Sequence, residues 1–159
     1  MKVSWFTVLL IVVFSQASFS ADFNFVFTFG CGHSDTLDTV HKAYIRQGTK
    51  TKFKLKKEEK NKIRKKIEEI DLWHYPEDLV VPADYLGRKI DIIPSSEDHI
   101  KVIDGKKVKE VRWIGPRPGL SDYYEPAVKL QELIDLIFKT LDSNPASKKI
   151  PKYTGPFCL

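Results

Sequence analysis

Cysteine is scarce in this chain. Only Cys31 and Cys158 occur in 159 residues, too few for a multi-disulfide mini-protein or a cysteine-rich zinc module. There is no Gly-rich phosphate loop, no Gly-x-Ser-x-Gly and no His-Glu-x-x-His, so the common nucleotide, serine-hydrolase and zinc-protease signatures are missing. The four histidines, His33, His41, His74 and His99, form no His-x-x-x-His pair, which leaves a structural zinc site unsupported. No cofactor is implied. No Asn-x-Ser/Thr acceptor occurs, so N-glycosylation is not expected. The length suits one domain and is short for a two-domain cofactor enzyme. Apolar residues at 42 % and charged residues at 30 % mark a globular chain, not a disordered one.

Long hydrophobic runs are also absent. The apolar stretch Val8–Phe14 is shorter than the roughly 18–20 residues of a spanning helix. It follows Met1-Lys2 and precedes the small and polar residues Ser15–Ser20, the three-part pattern of a secretory signal peptide. Residues 1–20 are read as that peptide, with cleavage before Ala21 and a second candidate site three residues earlier. Residues 21–159 are then a single secreted, extracellular domain, expected to be a monomer without stable membrane insertion. In an oxidising compartment Cys31 and Cys158 are expected to form a disulfide. Closing so long a loop is worth about 4–5 kcal/mol in the chain-entropy model. Cys31 as a nucleophile would need an activating partner.

Phe23, Phe25, Phe27 and Phe29 alternate with Asn24, Val26 and Thr28, the period of a half-buried strand. A turn at residues 30–35 leads to a second strand over about 37–46. A third, from Thr49 to Leu55, places Thr51, Phe53 and Leu55 on one face and Lys50, Lys52 and Lys54 on the other. Ile63, Ile67 and Ile70 predict a helix over 56–70. Residues 76–97 read as a long ordered loop with a short strand near 89–93. Two strands flanking Asp104-Gly105 predict a type I′ hairpin. Leu130, Leu133, Ile134, Ile137, Phe138 and Leu141 predict a second helix over 125–141. A tail rich in Pro, Lys and Ser follows. The fold class expected is α+β: a single domain with an antiparallel sheet of about five strands (β-β-β-α-β-β-α) and two helices packed on one face.

The run Phe25–Gly32 (Phe-x-Phe-x-Phe-Gly-x-Gly), Leu37-Asp38-Thr39, the segment Ile67–Pro76, Pro94-Ser95-Ser96, Lys109–Trp113 and Leu133–Ile137 together resemble a family of small secreted or lipid-anchored proteins of Gram-positive bacteria whose function is unknown. The resemblance covers about residues 23–155. It implies the fold and no chemistry, because its motifs are core and turn residues. This chain departs from the family in lacking a lipid-modified cysteine at the mature start. It also has Cys31, matched by Cys158, where an apolar residue is usual.

Charge is the most informative feature. From Lys42 to Lys66 twelve Lys/Arg stand against two Glu, a local +10 within a chain of net +5. Lys50, Lys52, Lys54, Lys57, Lys60, Arg64 and Lys65 are expected to form a cationic surface for an anionic or macromolecular partner. Like-charge runs also serve solubility alone. Nucleic acid is not expected, since no reader motif occurs and aromatics do not interleave with the lysines. These features favour a secreted non-enzymatic binding or effector protein, of the kind found among toxins and venom components. The alternative is a small secreted hydrolase or metal-dependent enzyme using His33, Asp35 and Asp38.

Overall fold

The computed structural model describes residues 23–30, 35–80, 84–85, 88–89, 98–114, 124–152 and 154. Residues 1–20, read above as a signal peptide, and Cys31, His33 and Cys158 lie outside the described residues. The elements in order are β1 (Phe23–Phe29), β2 (Asp35–Asp38), β3 (Ala43–Arg46), β4 (Thr49–Lys52), α1 (Lys57–Glu69), β5 (Asp78–Val80), β6 (Asp84–Tyr85), β7 (Arg88–Lys89), β8 (Asp98–Asp104), β9 (Lys107–Ile114) and α2 (Glu125–Ser143). One-turn 3-10 segments follow each helix, at Leu72–His74 and Pro145–Lys149.

The architecture is α+β. The main sheet has seven strands in the order β4-β3-β2-β1-β8-β9-β5, and β6 with β7 forms a separate pair. Two expectations need correction. The sheet is mixed, because β5 runs parallel to β9. It also has more than five strands. The stretch expected as one strand is two, β2 and β3, turned back on each other. The Asp38 carboxylate makes that turn: its Oδ1 accepts from the His41 N–H at 2.9 Å, and Lys42 adopts a positive φ of 54°. The β8–β9 loop differs by one residue from expectation. Asp104 and Lys107 close the ladder, so Gly105 and Lys106 are the central pair. Gly105 is in the left-handed region while Lys106 is not, the signature of type II′, which needs glycine only at the first position. The β3–β4 loop is the one with both central residues at positive φ, Gln47 at 47° and Gly48 at 78°.

Alternation along β1 sorts the two faces. Phe23, Phe25 and Phe27 are buried beneath the helices. Opposite them in register lie Val102 and Ile100 on β8 and Leu37 on β2. The same face continues through Tyr44, Val111 and Trp113, all fully buried. Ile63 and Ile67 of α1 and Leu130, Leu133 and Ile137 of α2 cover it, in one hydrophobic cluster. Phe27 is the hub: its ring lies 4.7 Å from Phe29, 5.9 Å from Phe138 and 6.0 Å from Trp113. Glu58 and Glu59 in the first turn of α1 and Lys66 in its last suit the helix dipole.

Truncating the hub opens a cavity that rigid neighbours cannot fill. Phe27→Ala is expected to cost about 3–5 kcal/mol, read as a lower urea midpoint at unchanged m. Phe29→Ala, at a position only partly buried, is expected to cost less.

Candidate functional site

The cations of residues 42–66 divide into two groups. The first is tied into the fold. Arg46 Nη2 and Nε donate to Asp35 Oδ2 at 2.6 and 2.9 Å, and Tyr44 OH donates to the same oxygen at 2.6 Å. Asp35 is buried, and its Oδ1 has no partner among the described residues. Burial and the Asp35 carboxylate push the Tyr44 hydroxyl well above its ordinary pKa, which keeps it a donor. Arg46 Nη1 also holds the carbonyl of Pro151 at 3.1 Å. Arg64 Nη2 meets Asp104 at 2.7 Å, where both side chains are mostly buried. Lys66 joins Glu69 at 2.8 Å and Glu132 of α2 at 3.1 Å.

The second group is Lys42, Lys50, Lys52, Lys54, Lys56, Lys57, Lys62 and Lys65. All are exposed, and none forms an ion pair among the described residues. On β4, Lys50 pairs with Ile45 and Lys52 with Ala43, so both point to the open face of the sheet, away from the helices. Lys42 sits in the β2–β3 turn, with its carbonyl accepting from Phe53 N at 2.8 Å. Lys54 follows the strand, with its carbonyl held by Asn144 Nδ2 at 3.1 Å.

Lys60 joins these groups. Its Nζ donates to Asn24 Oδ1 at 2.6 Å and to the Phe23 carbonyl at 3.2 Å. Both acceptors are neutral. Partial burial, then the nearby charges of Lys42 and Lys54, hold its ammonium below the ordinary lysine pKa. Three cationic side chains are thus near one another at the end of the sheet, and none of them forms an ion pair among the described residues. Such a node of positive potential attracts an anion.

Of the seven residues expected on the cationic surface, Lys50, Lys52, Lys54, Lys57 and Lys65 are exposed. Lys60 is anchored at its rim, and Arg64 is turned onto Asp104. Lys42 belongs to the cluster as well. Its position at the end of a run of lysines was visible in the sequence, but its nearness to Lys60 depends on the β2–β3 turn.

The carboxylates proposed for an enzyme are not brought together. Asp35 and Asp38 lie on opposite faces of β2, Asp35 under Arg46 and Tyr44, Asp38 against the His41 ring at 2.6 Å. No group of three or more His, Cys, Asp or Glu among the described residues is arranged to hold a metal ion. No helix among them is long and apolar enough to cross a membrane.

No protein family, curated protein or solved structure matches the chain. The resemblance noted for the Phe25–Gly32 run and its companions is therefore carried by those residues alone.

Asp38 supplies a pH test of this corner. Partial burial would raise its carboxyl, but the His41 N–H and ring, with the Val40 N–H, outweigh that and hold it below its ordinary value. A depressed carboxylate stabilises the fold above its unfolded pKa of about 3.9 and loses that contribution as pH falls through the folded value. Asp38→Asn is expected to cost about 1 kcal/mol near neutral pH. The difference from wild type should close as urea unfolding is repeated below about pH 4.

Proposed function

We propose that this protein is a secreted, non-enzymatic binding protein whose partner is a polyanion, held at the corner where β4 leads into α1. The observation that carries the reading is the Lys42–Lys54–Lys60 cluster. Like charges are kept together there at an electrostatic cost, and Lys60 is pinned by neutral acceptors. Surface lysines kept only for solubility have no need of such an anchor. The five exposed lysines Lys50, Lys52, Lys54, Lys56 and Lys57 extend the same charge along the chain. The arginines of the region serve internal ion pairs, which leaves the partner surface to lysine, a point charge with freely rotating donors.

The same reading takes the domain as closed by a Cys31–Cys158 disulfide. Described residues on both sides support it. Gly30, just before Cys31, donates from its N–H to Asp98 Oδ1 at 3.0 Å. The tail reaches the neighbouring strands, with Pro151 on Arg46 and Thr154 Oγ1 donating to Gln47 Oε1 at 3.1 Å. Four further residues of chain can span up to about 14 Å, against about 10 Å for the two strand spacings from β1 to β3.

Two measurements test the reading. The secreted chain is expected to bind immobilised heparin, with log K falling linearly against log salt. Replacing Lys42, Lys54 and Lys60 together by Gln should flatten that slope by about two to three units. Binding that persists at molar salt, or that is indifferent to the triple variant, would sink the electrostatic proposal. Intact mass should rise by two hydrogens on reduction. An unchanged mass with both thiols open to alkylation would remove the disulfide.

A further inference from the structure

We infer that the polyanion is a linear sulfated polysaccharide that bends around the end of the sheet; this rests on the reading that the lysine corner is the partner surface. The cations do not lie in one plane. Lys50 and Lys52 face the open side of the sheet, about 7 Å apart along β4. Helix α1 lies on the other side, over the buried face of β1. Lys57 and Lys60 stand one turn apart on one flank of it. The flank next to α2 is a different one, marked by Lys66 on Glu132.

Lys60 connects the two sides. The alternation that buries Phe23 and Phe25 turns Asn24 to the open face, yet the Lys60 ammonium reaches Asn24 Oδ1 from the helix side. Its Nζ therefore stands at the rim, and the exposed Lys42 and Lys54 stand beside it. The track runs from Lys50 and Lys52 on one face, past Lys42, Lys54 and Lys60 at the rim, to Lys57 on the helix.

A planar bilayer can meet only one side of such a rim. Insertion would also need apolar side chains, and Ile63, Ile67 and Ile70 of α1 are buried. A nucleic-acid strand could follow the bend, but Phe23, Tyr44 and Phe53, described aromatics on the segments that form the corner, are buried and offer its bases no stacking face. A flexible chain bearing sulfates at short intervals can follow the bend and be held at each step by a single ammonium group.

The test is titration of the secreted full-length chain, at fixed low salt, with a heparin-derived octasaccharide, the matching disaccharide, phosphatidylserine vesicles and an oligo-dT strand. The wild type is compared with Lys50→Glu/Lys52→Glu and with Lys57→Glu/Lys60→Gln, and thermal melts confirm folding. The pair Lys50→Gln/Lys52→Gln is a milder substitute should the acidic variant fail to fold. The octasaccharide is expected to bind, and each pair of substitutions should weaken it by about tenfold. The disaccharide, too short to span the rim, should bind far more weakly and lose sensitivity to one of the two pairs. If one pair alone affects the octasaccharide, the chain lies on a single face and the bend is wrong. If vesicles or oligo-dT bind and the octasaccharide does not, the polysaccharide assignment falls while the cationic corner stands. If no polyanion binds, both fall.

Discussion

Every other feature of the fold depends on the one-sided burial of β1. Its phenylalanines occupy a single face, and both helices cover that face. A slip of one residue in β1 would carry the whole aromatic row to the open side, so the register with β2 and β8 follows from the burial. That register then decides where charge can go. On β4, three strands away from β1, the same alternation puts Thr51 with the partly buried set and Lys50 and Lys52 outside. The cationic corner is thus an outcome of hydrophobic sorting that begins at Phe25 and Phe27.

Arginine and lysine divide the electrostatic work by their chemistry. Arg46 uses its planar fork to gather Asp35, Tyr44 and the Pro151 carbonyl at one point. Arg64 reaches Asp104 in a mostly buried setting. These positions ask for several donors in fixed directions. Within residues 42–66 the exposed cations are all lysine. The acidic residues paired with α1 are Glu68 and Glu69 in its own last turns, Glu132 on α2 and Asp104 on β8. All of these pairs are made by Arg64 and Lys66 in the far half of the helix, while Lys57, Lys60 and Lys62 in the first half form no ion pair among the described residues.

Much of this was legible in the chain itself, for identifiable reasons. The period-two phenylalanines and the isoleucine stripe of α1 are local patterns, and the folded protein uses them as written; the strand expected over Thr49–Leu55 stops at Lys52, although Phe53 and Leu55 are buried and Lys54 is exposed beyond it. The split between β2 and β3 was hidden, because its turn carries no glycine and depends on Asp38 and on Lys42 at an unusual φ. Strand β5 was hidden for another reason. Its three residues form a strand only because β9, far along the chain, offers a parallel partner. At the candidate site, the sequence supplied the lysines and their faces. It could not supply the anchoring of Lys60, which needs Asn24 brought from an element 36 residues away.

The order of strands in the sheet carries a consequence for synthesis. β1 lies at the centre, between β2, which follows it closely, and β8, which begins at Asp98. While the ribosome has yet to deliver β8, the phenylalanine strand has one unpaired edge and lacks α2, a large part of its apolar cover. Non-local pairings of this sort form late, and an open apolar edge invites association between chains. Between the emergence of Phe29 and that of Leu141, the nascent chain is at its stickiest. The dense positive charge of residues 42–66 is made within that same interval, where mutual repulsion between unfinished copies works against clumping.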